Sequence, residues 1–114
     1  MIKTTDGDEH GAYCFERWRL DVTRRDLRDP SGTLVPLSDG EFRLLRAFVE
    51  HPRRVLTRDQ LLDYARGGDS ENYDRAIDVQ VSRLRRKLAT DPRSGDLIRT
   101  VRNEGYMFTP AVTR

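Results

Sequence analysis

The sequence predicts a single α+β domain: a small antiparallel sheet, then three helices, then a closing hairpin. Three observations carry this. Short runs of β-forming residues alternate with turn residues from Tyr13 to Leu37. Two helix starts of one design follow, at Ser38 and Thr57, and Arg75 to Leu88 then places apolar residues at helical spacing. Beyond these, Leu97 to Thr109 holds two β-forming runs around a glycine-containing turn. The 114 residues suffice for one domain that buries roughly two thirds of its unfolded surface.

Residues 1–11 are polar, acidic and without periodicity, and are expected to be a disordered lead-in or linker; the domain is expected over 12–112. Tyr13 to Phe15, Trp18 to Val22, Leu27, and Leu34-Val35 read as three or four short strands, with Asp29-Pro30-Ser31-Gly32 as a turn. Trp18 reads as a core residue of this meander.

The first helix opens with Ser38 and Glu41 as a capping box and Leu37 and Phe42 as a hydrophobic staple, and ends near His51 because Pro52 forbids continuation. Phe42, Leu45, Phe48 and Val49 form its buried face. The second repeats the device with Thr57 and Gln60, and Leu56 and Leu61. It buries Leu61, Leu62 and Ala65 and stops at Gly67-Gly68. A polar loop from Gly67 to Tyr73 leads to the third helix, expected over 74–89.

That helix has two contrasting faces. Ile77, Val81, Leu84 and Leu88, spaced four, three and four residues apart, fall in one stripe that must face a core. The opposite face carries Arg75, Val79, Ser82, Arg83 and Arg86, with Arg85 and Lys87 on the flanks and Asp78, the acidic residue of the stretch Arg75 to Leu88, also on a flank. An apolar Val79 within a cationic face contributes nothing to solubility. Arg for guanine edges and phosphates, Ser for adaptable hydrogen bonds and a small apolar group for a thymine methyl suit a helix in the DNA major groove. Helix, loop and basic helix follow in the order of a helix-turn-helix reader, with a loop longer than the usual tight turn.

Leu97 to Arg102 reads as one strand of the final hairpin, Asn103-Glu104-Gly105 as its turn and Tyr106 to Thr109 as its return. Arg99 and Arg102 near its tip are suited to a minor groove flanking the helix. Charge distribution agrees. Net charge is only +2, but residues 75–104 hold eight Arg/Lys against four Asp/Glu, whereas residues 1–74 hold twelve against fifteen. Positive charge therefore collects in the C-terminal part, as an electrostatic footprint requires.

Together these residues resemble the effector domain of the OmpR/PhoB-type response regulators. The motifs that carry the resemblance are Pro36 to Phe42, His51 to Leu61, Ala65-Arg66-Gly67, Arg75 to Leu88, and Thr100 to Tyr106, within roughly residues 13–110. The resemblance implies a winged helix-turn-helix with an N-terminal four-stranded antiparallel sheet, three helices and a C-terminal β-hairpin wing over 97–109. It implies base contacts from Val79, Ser82, Arg83 and Arg86, with Arg102 entering the minor groove. Phosphate contacts are expected from Arg75, Arg85, Lys87, Arg99 and Thr100. The loop 67–73, with Gly68, Asp69, Ser70, Glu71 and Asn72, matches the segment relatives present to RNA polymerase. Family members dock in tandem on direct-repeat double-stranded DNA, and the isolated domain is expected to be monomeric. No segment of the sequence reads as a receiver domain, so no phosphoacceptor aspartate is expected within it, whether the domain is excised or stands alone, and Glu104 stands where many relatives have a Gly-rich tip.

Other function classes fare less well. His10 lies in the lead-in, His51 precedes Pro52, and no Ser or Cys has a base at readable spacing, so no enzyme is expected. Two His and one Cys are too few for a zinc site, and no metal or cofactor is expected. Cys14 has no partner for a disulfide, no apolar run spans a bilayer, and no leader is evident, which together point to the cytoplasm and no membrane contact. A-form RNA has a major groove too deep and narrow for this helix. A winged helix acting mainly as a protein-interaction module remains the alternative.

Overall fold

A computed structural model describes residues 11–66, 77–89 and 96–114. The expected meander forms as four strands, β1 Ala12–Phe15, β2 Trp18–Asp21, β3 Asp26–Arg28 and β4 Leu34–Val35, paired antiparallel in sequence order. Period-two burial turns Phe15, Trp18, Leu20 and Leu27 inward, and Trp18 is fully buried, as expected of a core residue. The Asp29 carboxylate accepts the backbone N–H groups of Ser31 and Thr33 at 2.9 Å, which closes the expected turn.

β1 and β2 join through Glu16 and Arg17 at φ of +47° and +70°, a two-residue turn whose two left-handed positions favour Asn and Gly. Replacing Glu16-Arg17 by Asn-Gly is expected to stabilise the domain by about 1 kcal/mol, read as a higher midpoint in urea unfolding with an unchanged slope. An unchanged midpoint would show that the turn stores no strain.

Both capping boxes form. Ser38 Oγ accepts Glu41 N–H at 3.2 Å and Glu41 Oε1 accepts Ser38 N–H at 2.9 Å, opening α1 Asp39–Glu50. Thr57 and Gln60 repeat this at 3.1 and 2.9 Å to open α2 Arg58–Arg66. The basic helix is α3 Ile77–Leu88; residues 74–76, expected to begin it, and Gly67-Gly68, expected to stop α2, lie outside the described residues. α1 packs on α2 and α3, and Phe108 meets Phe48 and Phe15 at ring separations of 6.1 and 5.0 Å, which joins the helices to the N-terminal sheet.

The hairpin comprises β6 Ile98–Val101 and β7 Gly105–Phe108, in register from Ile98↔Phe108 to Val101↔Gly105. It is not alone. A two-residue strand, β5 Val55–Leu56 between α1 and α2, pairs antiparallel with β7, so the hairpin belongs to a three-stranded sheet ordered β5-β7-β6. Thr113 also exchanges backbone hydrogen bonds with Cys14 at 2.7 and 2.9 Å, so the ordered chain continues past residue 112 and closes the edge of β1. The fold is the α+β architecture expected, with a C-terminal wing.

Candidate nucleic-acid interface

The stripe of α3 enters the core as its spacing requires: Ile77, Val81, Leu84 and Leu88 are all buried. Gln80, at the edge of that stripe, is buried as well, with Oε1 unpartnered among the described residues. The face pointing outward holds Val79, Ser82, Arg83 and Arg86, all exposed, and Val79 retains 47 % of its accessible surface. Arg99, Thr100 and Arg102 stand exposed on the wing beside it. Among the described residues, Arg83, Arg86, Arg99 and Arg102 take part in no ion pair or hydrogen bond through their side chains. Four unneutralised guanidiniums on one helix face and its flanking hairpin make a polyanion-binding surface.

Arg85 belongs to the structure of this surface as well as to its charge. Its Nε donates to Ile98 O at 3.0 Å and a terminal nitrogen donates to Thr100 Oγ1 at 2.5 Å, tying the wing strand β6 to α3. Its guanidinium also lies 5.5 Å from the Tyr106 ring centroid. Arg58, from the first turn of α2, approaches the same ring at 5.6 Å. Arg58 Nε donates to Asp78 Oδ1 at 3.0 Å, and Tyr106 Oη donates to that same oxygen. The Tyr106 hydrogen bond, followed by that of Arg58, holds the Asp78 carboxyl below the usual aspartate range against the opposing effect of burial. Burial and then the Asp78 hydrogen bond push the Tyr106 phenol up, so it remains a proton donor.

Lys87, expected at a phosphate, has partners inside the domain. Its Nζ donates to Pro36 O at 2.8 Å and to Glu41 Oε1 at 2.6 Å, on the side where α3 meets α1. Glu41 is 3 % exposed, so Lys87 neutralises a buried carboxylate within the domain. Arg75 and the segment Gly68, Asp69, Ser70, Glu71 and Asn72 lie outside the described residues. Sequence reasoning missed Arg58, Asp78 and Tyr106 as a group. Asp78 gave the available signal, as a carboxylate in an otherwise cationic helix segment.

At the wing tip, Glu104 N–H donates to Val101 O at 2.9 Å and Asn103 takes φ of +65°, a conformation Asn tolerates well. Glu104 and Arg102 are both exposed in this turn. Among the described residues, no group of three His, Cys, Asp or Glu could hold a metal ion, and no helix is long and apolar enough to cross a membrane.

A family model described as transcriptional regulatory protein, C terminal, matches residues 32–108. The regulatory protein VirG of Agrobacterium tumefaciens is 52 % identical over 97 residues, which cover 85 % of this chain and 36 % of that protein. The transcriptional regulatory protein AruR of Pseudomonas aeruginosa is 46 % identical over 99 residues, 87 % of this chain and 41 % of that protein. The chain thus spans well under half the length of these relatives. Among solved structures, the Klebsiella pneumoniae RstA DNA-binding domain in complex with RstA box superposes with a TM-score of 0.72 at 35 % identity, covering 88 % of this chain and 98 % of that one. The response regulator DrrB of Thermotoga maritima, described as an OmpR/PhoB homolog, gives 0.72 at 29 % identity over 87 % of this chain and 44 % of that one.

Proposed function

This chain belongs to the family of transcriptional regulatory protein C-terminal domains, of the OmpR/PhoB type, and from that premise we propose that it reads double-stranded DNA sequence as a response-regulator effector domain. The family is one of transcription-regulating domains and not an enzyme class. α3 enters the major groove and the wing lies at the minor groove. The observation that supports this best is the outward face of α3, where exposed Val79 and Ser82 sit among unpaired Arg83 and Arg86 beside the wing arginines. Val79, Ser82, Arg83 and Arg86 meet base edges, Arg102 enters the minor groove, and Arg75, Arg85, Arg99 and Thr100 hold phosphates. Lys87, engaged with Glu41, is left out of this set. In the same reading the loop 67–73 meets RNA polymerase, two copies dock head to tail on a direct repeat, and the protein works in the cytoplasm.

Selection from a random duplex pool at low salt tests this directly, and a short motif repeated in one direction about one helical turn apart is the expected product. Arg83→Ala is then expected to lose about 1–3 kcal/mol at the selected site and to flatten preference at one base position. Arg99→Ala, from an exposed and unpaired position, is expected to weaken all sequences alike and to lower the salt slope by about one charge. It is a cleaner phosphate probe than Arg85→Ala, which also releases Ile98 and Thr100. Identical behaviour of the Arg83 and Arg99 variants across the panel would refute the division between base and phosphate roles. Equal weak binding to every duplex by the parent domain would favour the protein-interaction alternative.

A further inference from the structure

The start of α3 poses a physical problem. Asp78 is exposed at 59 % of its side chain on the edge of a surface built to meet phosphates, where a carboxylate opposes binding. In the first described turn of α3 a carboxylate also complements the helix dipole, but any acidic side chain of that turn would serve this and it specifies no partner. What the carboxylate does hold is defined. Its Oδ1 accepts both Arg58 Nε at 3.0 Å and the Tyr106 hydroxyl, so one oxygen joins the first turn of α2, the first described turn of α3, and β7. Tyr106 lies on the middle strand of the wing sheet, opposite Leu56 on one side and Thr100 on the other. Its ring is flanked by the guanidiniums of Arg58 and Arg85, and Arg85 in turn binds Thr100 and the Ile98 carbonyl.

We propose that Asp78 is a positioning residue: by holding the Tyr106 hydroxyl and Arg58 together it sets the register of the wing against α3, and so sets how sharply the domain discriminates among DNA sequences. The proposal rests on the DNA-reading function above. Simultaneous contact by Arg83 in one groove and Arg102 in the next demands a fixed spacing between helix and hairpin. Two groups pinned to one carboxylate oxygen supply it where the hairpin passes the helix start. The same carboxylate keeps Arg58 from acting as a freely placed phosphate ligand, which would strengthen binding to every sequence without adding information.

The test compares the parent chain, Asp78→Asn and Tyr106→Phe, each shown to be folded by its melting transition, on the selected duplex and on an unrelated duplex over a salt series. Asp78→Asn is expected to bind the unrelated duplex several-fold more tightly with a steeper salt slope, and to narrow the ratio between the two duplexes by about tenfold. Tyr106→Phe keeps the ring, both guanidinium contacts and the charge. It is expected to leave unrelated binding unchanged, to narrow the ratio, and to lose methylation protection at minor-groove adenine N3 while keeping it at major-groove guanine N7. An unchanged ratio in both variants, or parallel loss on both duplexes that follows a fall in melting temperature, would overturn the role of Asp78 alone. Absence of any preference in the parent chain would overturn the DNA-reading function and the proposal with it.

Discussion

Gly105→Ala is expected to destabilise the domain by about 3–5 kcal/mol, combining strain at a left-handed position with overpacking against an unyielding neighbour. Gly105 has φ of +147°, and a Cβ there would fall inside contact distance of Leu56 O and 2.9 Å from both Leu56 C and Thr57 Cα. All three are backbone atoms of β5 and of the residue between it and α2, so no side-chain rotation relieves them. The strand must move away, which breaks the Leu56↔Tyr106 pairing and with it the docking of the wing on the helices. Thermal unfolding followed by circular dichroism is expected to show a midpoint lowered on the order of 10–20 °C. Gly32→Ala is the control: φ there is +88°, but nothing lies within 4 Å of the added carbon, so only backbone strain of about 1 kcal/mol is expected. Equal effects of the two substitutions would show that conformation alone, and not the close passage of β5, makes Gly105 necessary.

Lys87→Met is expected to cost about 3 kcal/mol, at the lower end of the range for breaking a buried ion pair because Lys87 itself keeps 35 % of its side chain exposed. The damage falls on Glu41, left as a buried carboxylate that retains only its hydrogen bonds to Ser38. Adding Glu41→Gln, whose carbonyl can still accept the Ser38 N–H, is expected to recover most of the loss, and a double-mutant cycle measures the coupling. The pair also shapes acid stability. Burial raises the Glu41 pKa, but the hydrogen bond and charge of Lys87 together with the Ser38 backbone outweigh it and leave the carboxyl below its ordinary value of 4.5. A carboxyl depressed in the folded state contributes stability that is full above pH 4.5 and is lost as pH falls through the lower, folded value. Urea unfolding from pH 7 to 3 is therefore expected to show a fall in the parent below pH 4.5 that flattens in the Lys87→Met, Glu41→Gln double variant. A fall of the same size in both would remove Glu41 from the list of acid-sensitive groups.

The candidate interface divides by the range of the contacts involved. Exposure of Val79, Ser82, Arg83 and Arg86 was legible because burial of Ile77, Val81, Leu84 and Leu88 leaves the opposite face no other place. Lys87 sits only one residue beyond Arg86, yet it turns to Glu41, since its angular position on the flank points at α1. Nothing in a charge run reveals which members carry a partner. Asp78 likewise read as an odd acidic residue on a flank, and its meaning lay in Arg58 and Tyr106, 20 and 28 residues away.

The sequence by itself determined the elements whose causes are local. Both capping boxes, the turn at Asp29 to Gly32, the burial of Trp18 and the two faces of α3 follow from residues within a few positions of one another, where geometry is set by covalent connection. Only the tertiary structure decided the rest. β5 is two residues with no periodicity and is a strand because β7 passes beside it. Thr113 is ordered because Cys14 offers an unfilled edge, and Gly105 is obligatory because Leu56 crosses its Cα face. Each depends on two segments far apart in the chain coming within ångströms, and the burial of the shared core fixes that approach, whereas no local pattern encodes it.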